Sequence, residues 1–136
     1  MYQSCTSRFI TLFSDYQYSL IIAEFKMIQS IIRIIVSPER RKAAREIMDS
    51  LIGPMHVVPG CICYRMYQDL ENENRLVLEQ EWESEMALHR FIRSNTYIKI
   101  LALIELSSQS PEILFNSISI IGGIDIVEDV RGEKTI

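Results

Sequence analysis

The chain has 136 residues, roughly one domain at about 150 residues each. Fourteen Lys and Arg against 18 Asp and Glu leave a net charge of −4, without the basic stripe that binding to nucleic acid requires. Hydrophobic residues at 48% and charged residues at 24% exclude a disordered chain, and no apolar run approaches the roughly 18 residues of a membrane-spanning helix.

Residues 1–26 are rich in Ser, Tyr and Gln and show no sustained period. Two readings stand: an extension that packs as an irregular arm or extra strand, or an adventitious stretch ahead of a natural start at Met27. The composition shift favours the second, which puts the compact domain at 27–136. Ile28 to Val36 is β-branched and apolar, the composition of a strand buried on both faces. Ser37-Pro38-Glu39 then opens a helix, with Ser as N-cap and Pro at the first helical position. Ala43, Ala44, Ile47, Met48, Leu51 and Met55 recur at helical steps, while Lys42–Glu46 and Arg45–Asp49 are spaced to pair on the outer side. Gly53-Pro54 is expected to end or kink this helix, which leaves His56 in a loop.

Cys61 to Gln68 reads as a second strand and Arg75 to Trp82 as a third, joined by a polar turn into a hairpin. Leu76, Leu78, Gln80 and Trp82 share one face of the third strand; Arg75, Val77, Glu79 and Glu81 share the other. Tyr64 and Tyr67 fall on opposite faces of the second strand, with Arg65 beside Tyr67. Ser84 caps a helix whose apolar side is Ala87, Leu88, Phe91 and Ile92. His89 is turned roughly 130° from that cluster, taking about 100° per residue. After a break at Ser94-Asn95 a further helix runs from Tyr97 to Leu106. Glu112 to Ile120 makes a fourth strand, and one or two helical turns over Ile124–Val130 close the chain.

The order β-α-β-β-α-β is that of a ferredoxin-like α+β sandwich, with both helical layers on one face of the sheet. The first strand is apolar on both faces (Ile31, Ile32, Ile34, Ile35) and the third adds Val77, so the uncovered face needs a partner. This argues for a homodimer packed sheet to sheet as an α+β barrel, with Arg33, Arg75, Glu79 and Glu81 in the interface or its rim. Cys5, Cys61 and Cys63 are too few for a disulfide framework. Strand alternation points Cys61 and Cys63 the same way, and a reducing, cytoplasmic setting follows. No His-Glu-x-x-His, Cys-x-x-Cys, Gly-rich phosphate loop or Gly-x-Ser-x-Gly elbow occurs, so no metal site is expected.

The turn Pro59-Gly60-Cys61 enters a Tyr-bearing strand, Cys63-Tyr64-Arg65-Met66-Tyr67. Together with Leu76-Val77-Leu78-Glu79-Gln80-Glu81-Trp82 and the helix start Glu83-Ser84-Glu85-Met86-Ala87-Leu88, this resembles the antibiotic biosynthesis monooxygenase family over about residues 27–120. The resemblance implies dimeric α+β barrels. It also implies oxidation of a small aromatic, quinol or phenol-like, by O2 with no metal or flavin, the electron-rich substrate itself reducing oxygen. On this analogy Trp82 is the candidate catalytic residue, as indole donor and pocket wall; Tyr64, Tyr67, Phe91 and Tyr97 are candidate substrate-binding residues. The sequence departs from its relatives where many carry histidines on the second helix: Phe91 and Thr96 stand there instead. Gln29 and Ser30 on strand one, with no histidine facing inward, likewise disfavour haem. The same fold serving as a non-catalytic dimeric ligand-binding or scaffold module is the alternative.

Overall fold

The computed structural model describes residues 2–5 and 27–134. Among the described residues the strands and α-helices run in chain order: β1 (Tyr2–Cys5), β2 (Met27–Ile35), α1 (Arg41–His56), β3 (Cys61–Gln68), β4 (Arg75–Trp82), α2 (Glu85–Ile92), α3 (Thr96–Glu105), β5 (Glu112–Ile118) and α4 (Ile124–Arg131). The sheet order is β1-β3-β4-β2-β5, all pairs antiparallel. Strands β2 to β5 form the ferredoxin-like sheet expected from sequence, and β1 adds a strand at the β3 edge through Tyr2↔Met66 to Cys5↔Cys63. The readings of residues 6–26 lie outside the described residues.

The core gathers on one side of the sheet. Ile32, Ile34, Met66, Leu78 and Trp82 meet Ala44, Met48, Leu51 and Met55 of α1, Ala87, Leu88 and Phe91 of α2, and Tyr97, Ile100 and Leu103 of α3. No helix is long and apolar enough to cross a membrane among the described residues.

Several expectations are corrected. Ser37 makes no side-chain cap; a short 3-10 turn, Pro38–Arg40, precedes α1 instead. That helix runs through Pro54, so His56 is its last residue and not part of a loop. Pro54 has no N–H to give the carbonyl of Ser50, and Lys99 Nζ on α3 approaches that carbonyl at 3.3 Å in its place. The outward charges of α1 do not pair along the helix as expected; Arg41 reaches Glu73 across the β3–β4 turn at 3.0 Å. Strand β5 stops at Ile118, two residues short of the expected end.

The cysteines depart furthest. A register shift between Cys61 and Cys63 inserts a bulge, and the extra residue breaks the period of two. Cys61 therefore packs toward the helix-side core as a free thiol, pushed up to about 12 by burial. Cys63, two residues on, alternates with core-facing Tyr64 onto the other face. It is disulfide-bonded, where the sequence reading had three reduced thiols.

The uncovered face differs from expectation as well. Ile31 (7% exposed) and Val77 (4%) are already buried within the single chain. Around them runs a polar lattice: Arg65 to Glu81 at 3.0 Å and to Glu79 at 3.7 Å, Tyr67 Oη donating to Glu79 at 2.6 Å, and Arg33 to Glu112 at 2.8 Å. Exposed large apolar side chains among the described residues include Ile113, Leu114 and Phe115 on β5 and Ile124, Val127 and Val130 on α4, with others on the helices and loops, such as Met86, Ile98 and Leu101.

Candidate functional site

Two neighbouring rows of the sheet carry polar groups into the helix-side interior. In one, Tyr64 lies opposite Gln80, Gln80 opposite Ser30, and Ser30 opposite Phe115. In the next, Trp82 lies between Cys61 and Ile28. The alternation of β2 (Ile28, Ser30, Ile32, Ile34) and of β4 (Leu76, Leu78, Gln80, Trp82) dictates this placement, because side chains two apart share a face.

Trp82 is wholly buried, and its ring stacks tilted on Phe91 at 4.9 Å; Phe91 in turn meets Tyr97 edge-on at 5.5 Å. The local sequence explains how these rings converge. Gly60, at φ +81°, makes the turn into β3 so close to α2 that a side chain there would collide with Ala87. Its carbonyl accepts from Glu83 N at 2.9 Å, which ties that turn to the end of β4. Ser84 Oγ accepts from Ala87 N at 3.1 Å and starts α2 at the register that puts Phe91 over the indole. The break at Ser94-Asn95 then returns Tyr97 to the same nest.

Within this apolar nest the polar atoms are short of partners. Trp82 Nε1 and Gln80 Oε1 are buried and make no hydrogen bond among the described residues. Gln80 Nε2 has the soft Sδ of Met55 at 3.5 Å. Each orphan costs roughly 1–3 kcal/mol of stability, an outlay a plain packing role would not require. Burial also raises the Tyr97 phenol above its ordinary value.

The structure thus brings Trp82, Phe91 and Tyr97 together, out of the five residues singled out from sequence. Tyr64 is on the same side, but its hydroxyl is committed to the carbonyl of Ile52 at 2.9 Å. Tyr67 is on the opposite face, bonded to Glu79, and burial first and that bond second push its phenol up to about 12. Gln80 and Ser30 lie outside the five sequence candidates, although each is a polar residue in an otherwise apolar alternation. His89 is exposed, as its helical phase implied, and His56 sits edge-on to Tyr64 at 5.7 Å. No group of three His, Cys, Asp or Glu suited to a metal ion gathers among the described residues.

Two of the cavities among the described residues lie elsewhere. One of about 230 Å³ sits between α1 and the β3–β4 hairpin, lined by Arg41, Arg45, Met48, Ile52, Met66 and Leu76 among others. The other, about 510 Å³, lies along the open face between Arg33, Arg75, Tyr67 and Glu112.

A ferredoxin-like sheet with one helix-covered face and a Trp at the end of its inner strand defines a class of small α+β domains. The model of the family described as antibiotic biosynthesis monooxygenase matches residues 27–102, and the chain belongs to that family. A solved conserved protein from Methanosarcina mazei is 30% identical, with a TM-score of 0.63 over 68% of this chain and 92% of that one. Rv0793 from Mycobacterium tuberculosis is 23% identical, with a TM-score of 0.60 over 71% and 97%. A structure described as an antibiotic biosynthesis monooxygenase is 15% identical, with a TM-score of 0.62 over 68% and 99%; at that identity the likeness is one of fold. No curated protein matches the chain.

Proposed function

We propose that this chain is a cofactor-independent monooxygenase acting on a small quinol or phenol-like aromatic with O2. The observation that carries the reading is the indole N–H of Trp82, fully buried and without an acceptor, inside the segment that matches the family. A phenolate oxygen is the acceptor it lacks. Gln80, in the adjoining row of the sheet, adds an amide that can turn either its N–H or its oxygen to the same ligand. Phe91 and Tyr97 would hold the aromatic plane and exclude water. An enclosed, dry site favours electron transfer from the substrate anion to O2. For an anthrone-like phenol the overall change balances as a ring CH2 and O2 giving a ring C=O and water. The functional unit in this reading is 27–136, since the family match opens at Met27 and the core cluster lies between Ile28 and Leu106.

The same reading takes the active form as a homodimer. The exposed Ile113, Leu114 and Phe115 on an edge strand supply the apolar surface for it, with Tyr67 and the charges of the open face beside them. Light scattering should give twice the chain mass, and Leu114→Glu should halve it without unfolding the protein.

A second reading, a dimeric module that binds a ligand without transforming it, is favoured by one observation: a cavity of about 230 Å³ lined by Met48, Ile52, Met66 and Leu76 offers ligand-sized space away from the Trp82 nest. Oxygen uptake with hydroquinones and anthrone-like phenols on metal-stripped protein separates the two. Saturable uptake that is lost in Trp82→Phe, which keeps a ring and removes the N–H, supports the enzyme. Uptake no faster than autoxidation in buffer supports the module.

A further inference from the structure

We propose that the cavity between α1 and the β3–β4 hairpin is a binding site for a small apolar monocarboxylate, separate from the Trp82 nest. Its floor is hydrocarbon and thioether: Met48 and Ile52 from α1, Met66 from β3 and Leu76 from β4. Its rim is cationic. Arg41 and Arg45 stand one helical turn apart on α1 and both line it. An apolar floor under a guanidinium rim matches a molecule with a hydrocarbon body and one anionic end.

The charges present decide how many anionic groups the ligand carries. Arg41 is held by Glu73 at 3.0 Å, and both side chains are well exposed, so that pair contributes little and yields readily. Arg45 has no carboxylate within ion-pair distance among the described residues, although Asp49 lies one turn further along the same rim. One uncommitted guanidinium beside one carboxylate suits a single carboxylate and disfavours a di- or triphosphate. A planar fork binding a carboxylate through two parallel N–H bonds is the geometry that distinguishes Arg here from Lys.

Size sets the rest. A volume of about 230 Å³ holds about eight groups the size of water, at about 30 Å³ each, so the ligand is of benzoate or short fatty-acid size. Tyr67 and Gln68, at the end of β3, complete the lining. Gln68 is pinned to the carbonyl of Glu73, which fixes that side of the cavity.

Benzoate titrated into the isotope-labelled full chain, with benzyl alcohol as neutral isostere, tests the site by NMR. Benzoate should shift the amides of residues 45–52 and 66–68 saturably, and the alcohol should bind at least tenfold more weakly. Arg45→Gln, at an exposed helical position, should weaken benzoate about tenfold, and Arg41→Gln only a few-fold. Trp82→Phe should leave benzoate affinity unchanged, so loss of the proposed oxidation and loss of this site are distinguishable. The proposal is overturned by benzoate shifts that fail to saturate, by equal binding of the alcohol, by an Arg45→Gln variant that binds as well as the parent, or by shifts centred on the Trp82 indole.

Discussion

The two faces of the sheet are built from the same strands and solve opposite problems. On the helix-covered face, Ile32, Ile34, Leu78 and Trp82 are packed almost out of contact with water, yet Trp82 Nε1 and Gln80 Oε1 are left without partners. On the open face, Arg33, Arg65, Tyr67, Glu79 and Glu81 keep partial exposure, and their polar ends are tied into ion pairs and hydrogen bonds. The face that can least tolerate unpaired polar atoms is the one that has them. Packing alone would select apolar side chains at 80 and 82, and the proposed interior ligand would account for the difference. The open face, by contrast, has its charges matched from within the chain.

The largest effect expected from this contrast is on stability. Trp82→Ala removes a fully buried ring against which Phe91 stacks and should cost about 3–5 kcal/mol by urea denaturation. Tyr67→Phe on the open face, which deletes one half-exposed hydroxyl, should cost under about 1.5 kcal/mol. Similar costs for the two would erase the distinction between the faces.

A sharper test uses Gln80. Gln80→Leu removes an orphaned buried oxygen and keeps the volume, so the variant should be as stable as the parent or more stable, by up to about 1–3 kcal/mol. Oxidation of phenols should nonetheless fall. A clear loss of stability would mean that Gln80 is a structural residue whose partners are satisfied in solution.

The smallest effect is alkaline. The folded-state value for Tyr67, raised to about 12, lies above the roughly 10 of an unfolded chain, so the folded state keeps a proton that the unfolded state gives up. Its stabilising contribution is complete below about pH 10 and is lost as pH rises through about 12. The stability difference between the parent and Tyr67→Phe should therefore shrink across that window, and a difference that widens would reverse the assignment.

Most of the fold was legible because period and punctuation agree at each element. The alternation of β4 placed Trp82, and Ser84 and the Ser94-Asn95 break set the phases that carry Phe91 and Tyr97 to it. What escaped were features that depend on partners distant in sequence. Helix α1 continues past Pro54, and Lys99, from another helix, lies at the carbonyl that proline strands. The bulge that turns Cys61 away from Cys63 shows only in the register against β4. Burial of Ile31 and Val77 within one chain was equally invisible, because an alternation pattern names a face without saying what covers it. In the site itself the ring cluster was readable, whereas Gln80 and Ser30 gained meaning only once their rows were seen side by side. The Arg41–Arg45 cavity needed the packing of α1 against the hairpin, which no local pattern encodes.

The central claim is that the buried indole N–H of Trp82 awaits an acceptor from the substrate. Trp82 is the sole tryptophan of the chain, so its N–H gives a single, unambiguous NMR resonance. On titration with an anthrone-like phenol under anaerobic conditions, that resonance should move downfield and saturate with the ligand. An indole resonance that stays in place while the same phenol binds, or is oxidised once oxygen is admitted, would contradict the account.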